Sequence, residues 1–333
     1  MKLTSTTGRD FLIKQDTRYQ SMNVEELLKS VGAYKKDCNG DGQYKLTAGG
    51  LLFFGKYNSI TDRFPHFQLD YFEKDSNLNS RWIDRVSTGD AEFPDLNVFD
   101  FLLIVRDKLS ATVKEPFTLD DGSQARLPIK RDLEESLREA LVNSLMHAYY
   151  DTDSPIKITA FPDYYEFKNS GNMRVTVDEF IKGNTSITRN PTIATLLRKI
   201  GFSEKAGSGG QKIFDVAARH NFISPTIQTP FYFTTLTIWK VDFRHNINQL
   251  PEPEKSILIY ISDYGSIQRK QLEKELHLQE HAYRKALKHL MEEGYIERQG
   301  NGSGTKYVLK KTSQEHYYLM KQTMRMIEEH LKH

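Results

Sequence analysis

LREALVNSLMHAYY, residues 137–150, decides how this chain is read. Within the longer segment LEESLREALVNSLMHAYY (133–150), Leu137, Ala140, Leu141, Leu145 and Met146 recur at helical spacing and predict a long amphipathic helix. Glu139, Asn143 and His147 stand at i, i+4 and i+8, so they share one face. Amphipathicity by itself accounts for such a polar stripe. What gives it meaning is the sequence around it.

Downstream, PIKITAFPDYYEFKNSG (155–171) predicts a hairpin turning at Pro162-Asp163 and ending in Lys168-Asn169-Ser170-Gly171. A polar stretch rich in Thr, Asn and Arg leads to the helix PTIATLLRKIG (191–201). Ala206-Gly207-Ser208-Gly209-Gly210-Gln211 then opens the helix KIFDVAARH (212–220). A glycine-rich turn at a helix N-terminus offers free N–H groups and the positive dipole end to a phosphate; a flexible connection is the other reading. The strand FYFTTLTIW (231–239) follows. Helix, hairpin, helices and strand predict an α+β layer with helices on one face of a mostly antiparallel sheet.

Upstream, residues 1–110 read as an α/β region. It has a helix at 24–31 (VEELLKSV), a buried strand at LLFF (51–54), a half-buried strand in FPHFQLDYF (64–72) and a helix at 97–109 (NVFDFLLIVRDKL). The linker NQLPEPEK (248–255) closes the second block, 111–247, and opens a third, 248–311. That block reads as three helices, in 256–265, 268–278 and 280–294, and two short strands around Asn301-Gly302. This is the order of a winged helix-turn-helix. Its third helix would carry His281, Tyr283, Arg284, Lys285 and Lys288 toward double-stranded DNA, with Ala282, Ala286, Leu287, Leu290 and Met291 facing the core. Arg269 and Lys270 open the second helix, and Arg298 and Lys306 flank the wing, all placed for phosphates. In 312–333, Tyr317, Met320, Met324, Ile327 and Leu331 step as a short coiled-coil seam that would pair two copies into a homodimer.

The chain has 333 residues, which predicts two or three domains, and 46 basic against 44 acidic side chains give a net charge of +2. That balance points to no partner; only the local gathering of charge does. Cys38 is the single cysteine, so an intrachain disulfide and a zinc site of two or more cysteines are excluded. The residues MKLTSTTGRD lack an apolar core and no long apolar run follows, so a cytoplasmic protein without membrane contact is expected. Two apparent motifs fail. Gly50-Leu51-Leu52-Phe53-Phe54-Gly55-Lys56-Tyr57 has tyrosine where a P-loop needs Ser or Thr, and Asp37-Cys38-Asn39-Gly40-Asp41-Gly42 ends its calcium-loop register on Ala48 instead of Glu.

The helix with Glu139 and Asn143, the strand end Lys168-Asn169-Ser170-Gly171 and the glycine turn 207–210, in this order, resemble the GHKL (Bergerat-type) ATP-binding fold of gyrase, histidine kinases and MutL. The resemblance implies that Glu139 orients or deprotonates an attacking water and that Asn143 binds Mg²⁺ beside ATP. Asn169 and Gly171 would stand where the family places an Asp and a Gly against adenine, with Met173 in place of the second Gly. Gly207, Gly209 and Gly210 would form the phosphate loop, and 172–206, with Arg189 and Lys205, the lid. The strings LREALVNSLMHAYY, FPDYYEFKNSG, TRNPTIATLLRKIGF and EKAGSGGQKI further resemble the divergent GHKL-type domain of bacterial regulators labelled RecG-like. KLTAGGLLFFGK with FPHFQLDYF is similar to the segment that follows a Schlafen AlbA-like domain in the same proteins. The family implies a nucleotide-sensing transcriptional regulator; a working ATPase with Glu139 as base and a scaffold with a degenerate pocket stay open beside it.

Overall fold

A computed structural model of the chain describes residues 6–75, 81–113, 129–183, 185–203, 207–220, 222–240, 250–264, 266–293, 295–300 and 302–309. They form a mixed α+β protein of two compact units, Met1–His220 with Pro225–Lys240, and Asn221–Ser224 with Val241–His333.

The first unit opens with helices α1 (Thr6–Gln15) and α2 (Val24–Ser30) and the hairpin β1 (Tyr34–Lys36) and β2 (Tyr44–Leu46). Next come α3 (Ala48–Phe54), α4 (Tyr57–Arg63), β3 (Leu69–Glu73), β4 (Asp84–Ser87) and α5 (Val98–Thr112). LLFF, expected as a buried strand, lies inside α3. Thr47 caps that helix by accepting the Gly50 N–H at 3.0 Å. A short apolar run fits either a strand or a buried helix, and here the cap decided. Gly50 lets the helix lie against the backbone of Ala33, whose Cα would be 3.0 Å from an added Cβ.

The second half of the unit runs α6 (Ile129–His147), β5 (Ile156–Ala160), β6 (Tyr164–Ser170), α7 (Val177–Lys182), α8 (Pro191–Lys199), α9 (Gly209–Arg219), β7 (Thr226–Gln228) and β8 (Phe233–Trp239). The six-stranded sheet has the order β4-β3-β5-β6-β8-β7, parallel between β3 and β5 and antiparallel elsewhere. The N-terminal strands thus extend the sheet of the second block, and the two blocks share one core. The register aligns Val86, Tyr71, Ile158, Phe167, Leu236 and Ile227 across one face, which α5 and α6 cover. Asp70, Lys157, Lys168 and Thr235 fall on the other, because side chains alternate along each strand.

In the second unit, helices Glu252–Tyr264, Arg269–Lys274 and Glu280–Glu292 pack with a three-stranded antiparallel sheet of β9 (Ile267–Gln268), β10 (Ile296–Gln299) and β11 (Lys306–Leu309), in the order β10-β11-β9. Its own core holds Ile257, Leu258, Ile261, Leu272, Leu287 and Leu290. The seam expected in 312–333 lies outside the described residues. Among the described residues no helix is long and apolar enough to cross a membrane.

Candidate functional site

In α6 the stripe Leu133, Leu137, Ala140, Leu141 and Leu145 is buried against the sheet and its neighbours. The helical period then turns Glu139, Asn143 and His147 together toward a cavity of about 190 Å³. Glu139 is only 7% exposed and keeps Arg138 at 3.5 Å. The opposite wall is the start of α9. A Cβ added to Gly209 would lie 2.6 Å from Glu139 Oε2 and 3.2 Å from Asn143 Nδ2. The backbone of the first turn of α9 therefore touches both side chains. Its first N–H groups have no partner within the helix, and the positive end of the dipole faces the same point. Gly207 precedes it at φ +98°, a conformation that favours glycine, and also lines the cavity with Gly209 and Gly210.

The segment after β6 is fastened to the end of α6. Arg189 donates from Nε to the His147 carbonyl (2.9 Å) and from Nη2 to the Asn172 carbonyl (2.7 Å). Asn190 Nδ2 donates to the carbonyls of Met146 (3.0 Å) and Ala148 (2.7 Å). These bonds satisfy the carbonyls that a helix end leaves open. Gly171, at φ +88°, leaves room for the Arg189 guanidinium, whose Cζ would be 3.0 Å from an added Cβ. Arg189, expected as a lid cation, thus works as a helix cap, with Nε and Nη2 engaged. Lys205 lies outside the described residues.

Asn169 is buried on the cavity wall and donates from Nδ2 to the Ser170 carbonyl at 3.1 Å. With the amide in that orientation its Oδ1 is left as the acceptor. Met173 lines the same wall and is held by its N–H to Thr229 Oγ1, 2.8 Å. Arg174 and Arg198, which sequence reasoning missed, also line the cavity. No motif marks them; only the return of the chain across the end of α6 brings them in. With Arg189 they make three guanidiniums against the Glu139 carboxylate, a balance that suits an anion.

Burial, with the charges of Arg189 and Arg174 behind it, pushes the His147 imidazole down from 6.5 to about 4. The unfolded chain takes up this proton near 6.5 and the folded chain near 4. Stability is therefore complete above about pH 6.5 and falls as pH drops through that window, by an amount on the order of 1–3 kcal/mol. Urea denaturation at about pH 7.5 and 5 checks this: His147→Gln should lose less stability between the two than the unchanged chain, and an equal loss sinks the assignment.

In the second unit, Arg269, Lys270, His281, Arg284, Lys285, Lys288, Arg298 and Lys306 are exposed. Tyr283, expected to face DNA, is 2% exposed and its hydroxyl donates to Glu273 at 2.8 Å, while Met291, expected in the core, is 36% exposed. The buried stripe of that helix is Tyr283, Ala286, Leu287 and Leu290, an i, i+3, i+4, i+7 pattern that was legible in the spacing.

Residues 153–238 match the family described as "Putative ATP-dependent DNA helicase recG C-terminal", which makes this stretch similar to an ATPase-like domain. The match includes Asn169 and the glycines 207–210 and begins after α6. Residues 9–70 match a family described as a domain of unknown function. The crystal structure of the DIP2311 protein from Corynebacterium diphtheriae has a similar fold, at 18% identity and a TM-score of 0.52, over 93% of this chain and 62% of that one. This chain thus spans less than two thirds of that protein, and at such identity the likeness is one of fold. No curated protein matches the chain.

Proposed function

We propose that the first unit is a divergent GHKL-type domain that binds ATP with Mg²⁺ in this cavity, and that the second unit is a winged helix-turn-helix that binds double-stranded DNA. Together they make a cytoplasmic bacterial transcriptional regulator acting as a homodimer. The observation that carries the nucleotide reading is the meeting of Glu139, Asn143 and the N-terminus of α9 at one point of the cavity. The family match over 153–238 supports it.

The chemistry of the donors fits the ligand. Phosphate oxygens would meet the first N–H groups of α9, and the Asn143 amide oxygen is a hard ligand suited to Mg²⁺. Among the described residues no three His, Cys, Asp or Glu gather as a metal site, so phosphate oxygens would supply most of the ion's remaining ligands. The Asn169 Oδ1 would accept from the exocyclic amine of adenine, an arrangement in which an amide replaces a carboxylate.

Titration calorimetry with MgATP tests the reading. The unchanged chain should bind, and Asn143→Ala should bind about tenfold more weakly or worse, the size of one lost ligand to a charged group. An unchanged chain that gives no saturable heat at millimolar MgATP would overturn it.

For the second unit, the support is the exposed basic side of the helix Glu280–Glu292 and the exposed Arg298 and Lys306 on β10 and β11. Arg284 pairs with Glu280, and Lys288 has Glu292 at 3.7 Å; both pairs are exposed and open readily to a phosphate.

A further inference from the structure

At one end of the sheet the first unit shows aromatic rings to solvent. Phe231 is 87% exposed, Tyr232 82% and Tyr149 49%. Adjacent apolar side chains left so open on a folded domain mark an interaction surface. The backbone holds them at one place: the Gly171 N–H donates to the Tyr232 carbonyl at 2.8 Å, and the Tyr149 N–H to the Ser170 carbonyl at 3.0 Å. Phe233 pairs with Ser170 in the next register position.

Cations stand among these rings. Lys168 Nζ lies 4.5 Å from the centre of the Phe233 ring, and Arg189 Cζ lies 6.0 Å from that of Tyr149. The stretches 167–175 and 225–240 that carry Lys168, Phe231 and Tyr232 contain no Asp or Glu, while the turn after Tyr149 carries Asp151 and Asp153. Asp151 has Arg63 at 3.5 Å, and Glu166 stands two residues before Lys168 on the same strand. Exposed rings with cations beside them match the two needs of an unpaired nucleic-acid strand: bases that stack and phosphates that want positive charge. A duplex hides its base faces and has no use for the rings.

We infer that this end of the sheet binds single-stranded nucleic acid, with Phe231 and Tyr232 stacking on bases and Lys168 meeting the backbone. The inference does not depend on a nucleotide in the cavity or on duplex binding by the second unit.

Fluorescence anisotropy on the full chain tests it, with a labelled oligothymidylate of about 30 nucleotides and a duplex of the same length as probes. The double variant Phe231→Ala/Tyr232→Ala should bind the single strand about tenfold or more weakly and the duplex unchanged, and Lys168→Ala should reduce the salt dependence for the single strand. Phe231 and Tyr232 are exposed and Lys168 is half-buried, and an unchanged melting temperature confirms that the fold is kept. No binding of oligothymidylate by the unchanged chain, or equal single-strand affinity in the double variant, overturns the inference. So does sedimentation showing a dimer that the double variant breaks without single-strand binding, because the rings would then be an interface between copies.

Discussion

Gly210→Ala should lower the melting temperature of the first unit by roughly 5–10 °C, whereas Gly209→Ala should leave it nearly unchanged and remove nucleotide binding. The two glycines are neighbours at the start of α9, and the difference lies in what each faces. A Cβ on Gly210 would overlap the Phe180 carbonyl oxygen and come within 2.8 Å of Phe180 Cδ1 and 2.9 Å of its carbonyl carbon. Backbone cannot swing aside, so α7 and α9 must separate, at a cost of about 1–3 kcal/mol or more. A Cβ on Gly209 meets the tips of Glu139 and Asn143, at 2.6 and 3.2 Å. Those side chains can rotate away with little loss of stability, and the helix gains slightly from losing a glycine. Yet the rotation dismantles the proposed phosphate and Mg²⁺ site. Thermal melting with MgATP calorimetry on the same two variants separates the effects. Equal melting temperatures would show that the α7–α9 contact yields, and full MgATP affinity in Gly209→Ala would remove Glu139 and Asn143 from the site.

Reversing two charges on the exposed side of the helix Glu280–Glu292, Lys285→Glu with Lys288→Glu, should weaken binding to random-sequence duplex about 100-fold near 100 mM salt. Each lysine that neutralises a phosphate releases a condensed counterion, so the slope of log affinity against log salt should fall by about 2 at the same time. Both side chains are exposed, and the ion pair of Lys288 with Glu292 at 3.7 Å is too open to hold the helix together, so folding is spared. Affinity and slope both unchanged would mean that this face of the second unit does not touch DNA. Tyr283 makes the contrast: being part of the core, its replacement by alanine would act through unfolding, and it is unsuited to the test.

Most helices were legible because their apolar residues repeat at helical spacing over several turns, as in α5, α6, α8 and α9. LLFF reads as a strand because four apolar residues carry no period, and the bond that makes it a helix comes from Thr47, outside the run. The strand β7 went unseen because Thr226–Gln228 is three residues long and is held by its pairing with β8 alone. The charge of its neighbours draws Tyr283 to the exposed side on a first reading, but the stripe through Ala286, Leu287 and Leu290 selects the tyrosine for the core and leaves Met291 outside.

By itself the sequence determined which residues share a face of α6, because helical geometry puts Glu139, Asn143 and His147 in line whatever surrounds them. It also determined that a glycine turn precedes α9 and that basic residues gather on one helix of the second unit. Only the tertiary structure decided that Gly209 stands against Glu139 and Asn143, that Arg189 and Asn190 cap α6, and that Arg174 and Arg198 join the cavity. These contacts join residues far apart in the chain, and they are possible because α6 and the sheet bury their apolar faces against each other. The polar face of α6 that this packing leaves open is the one that Arg189 and the glycine turn meet.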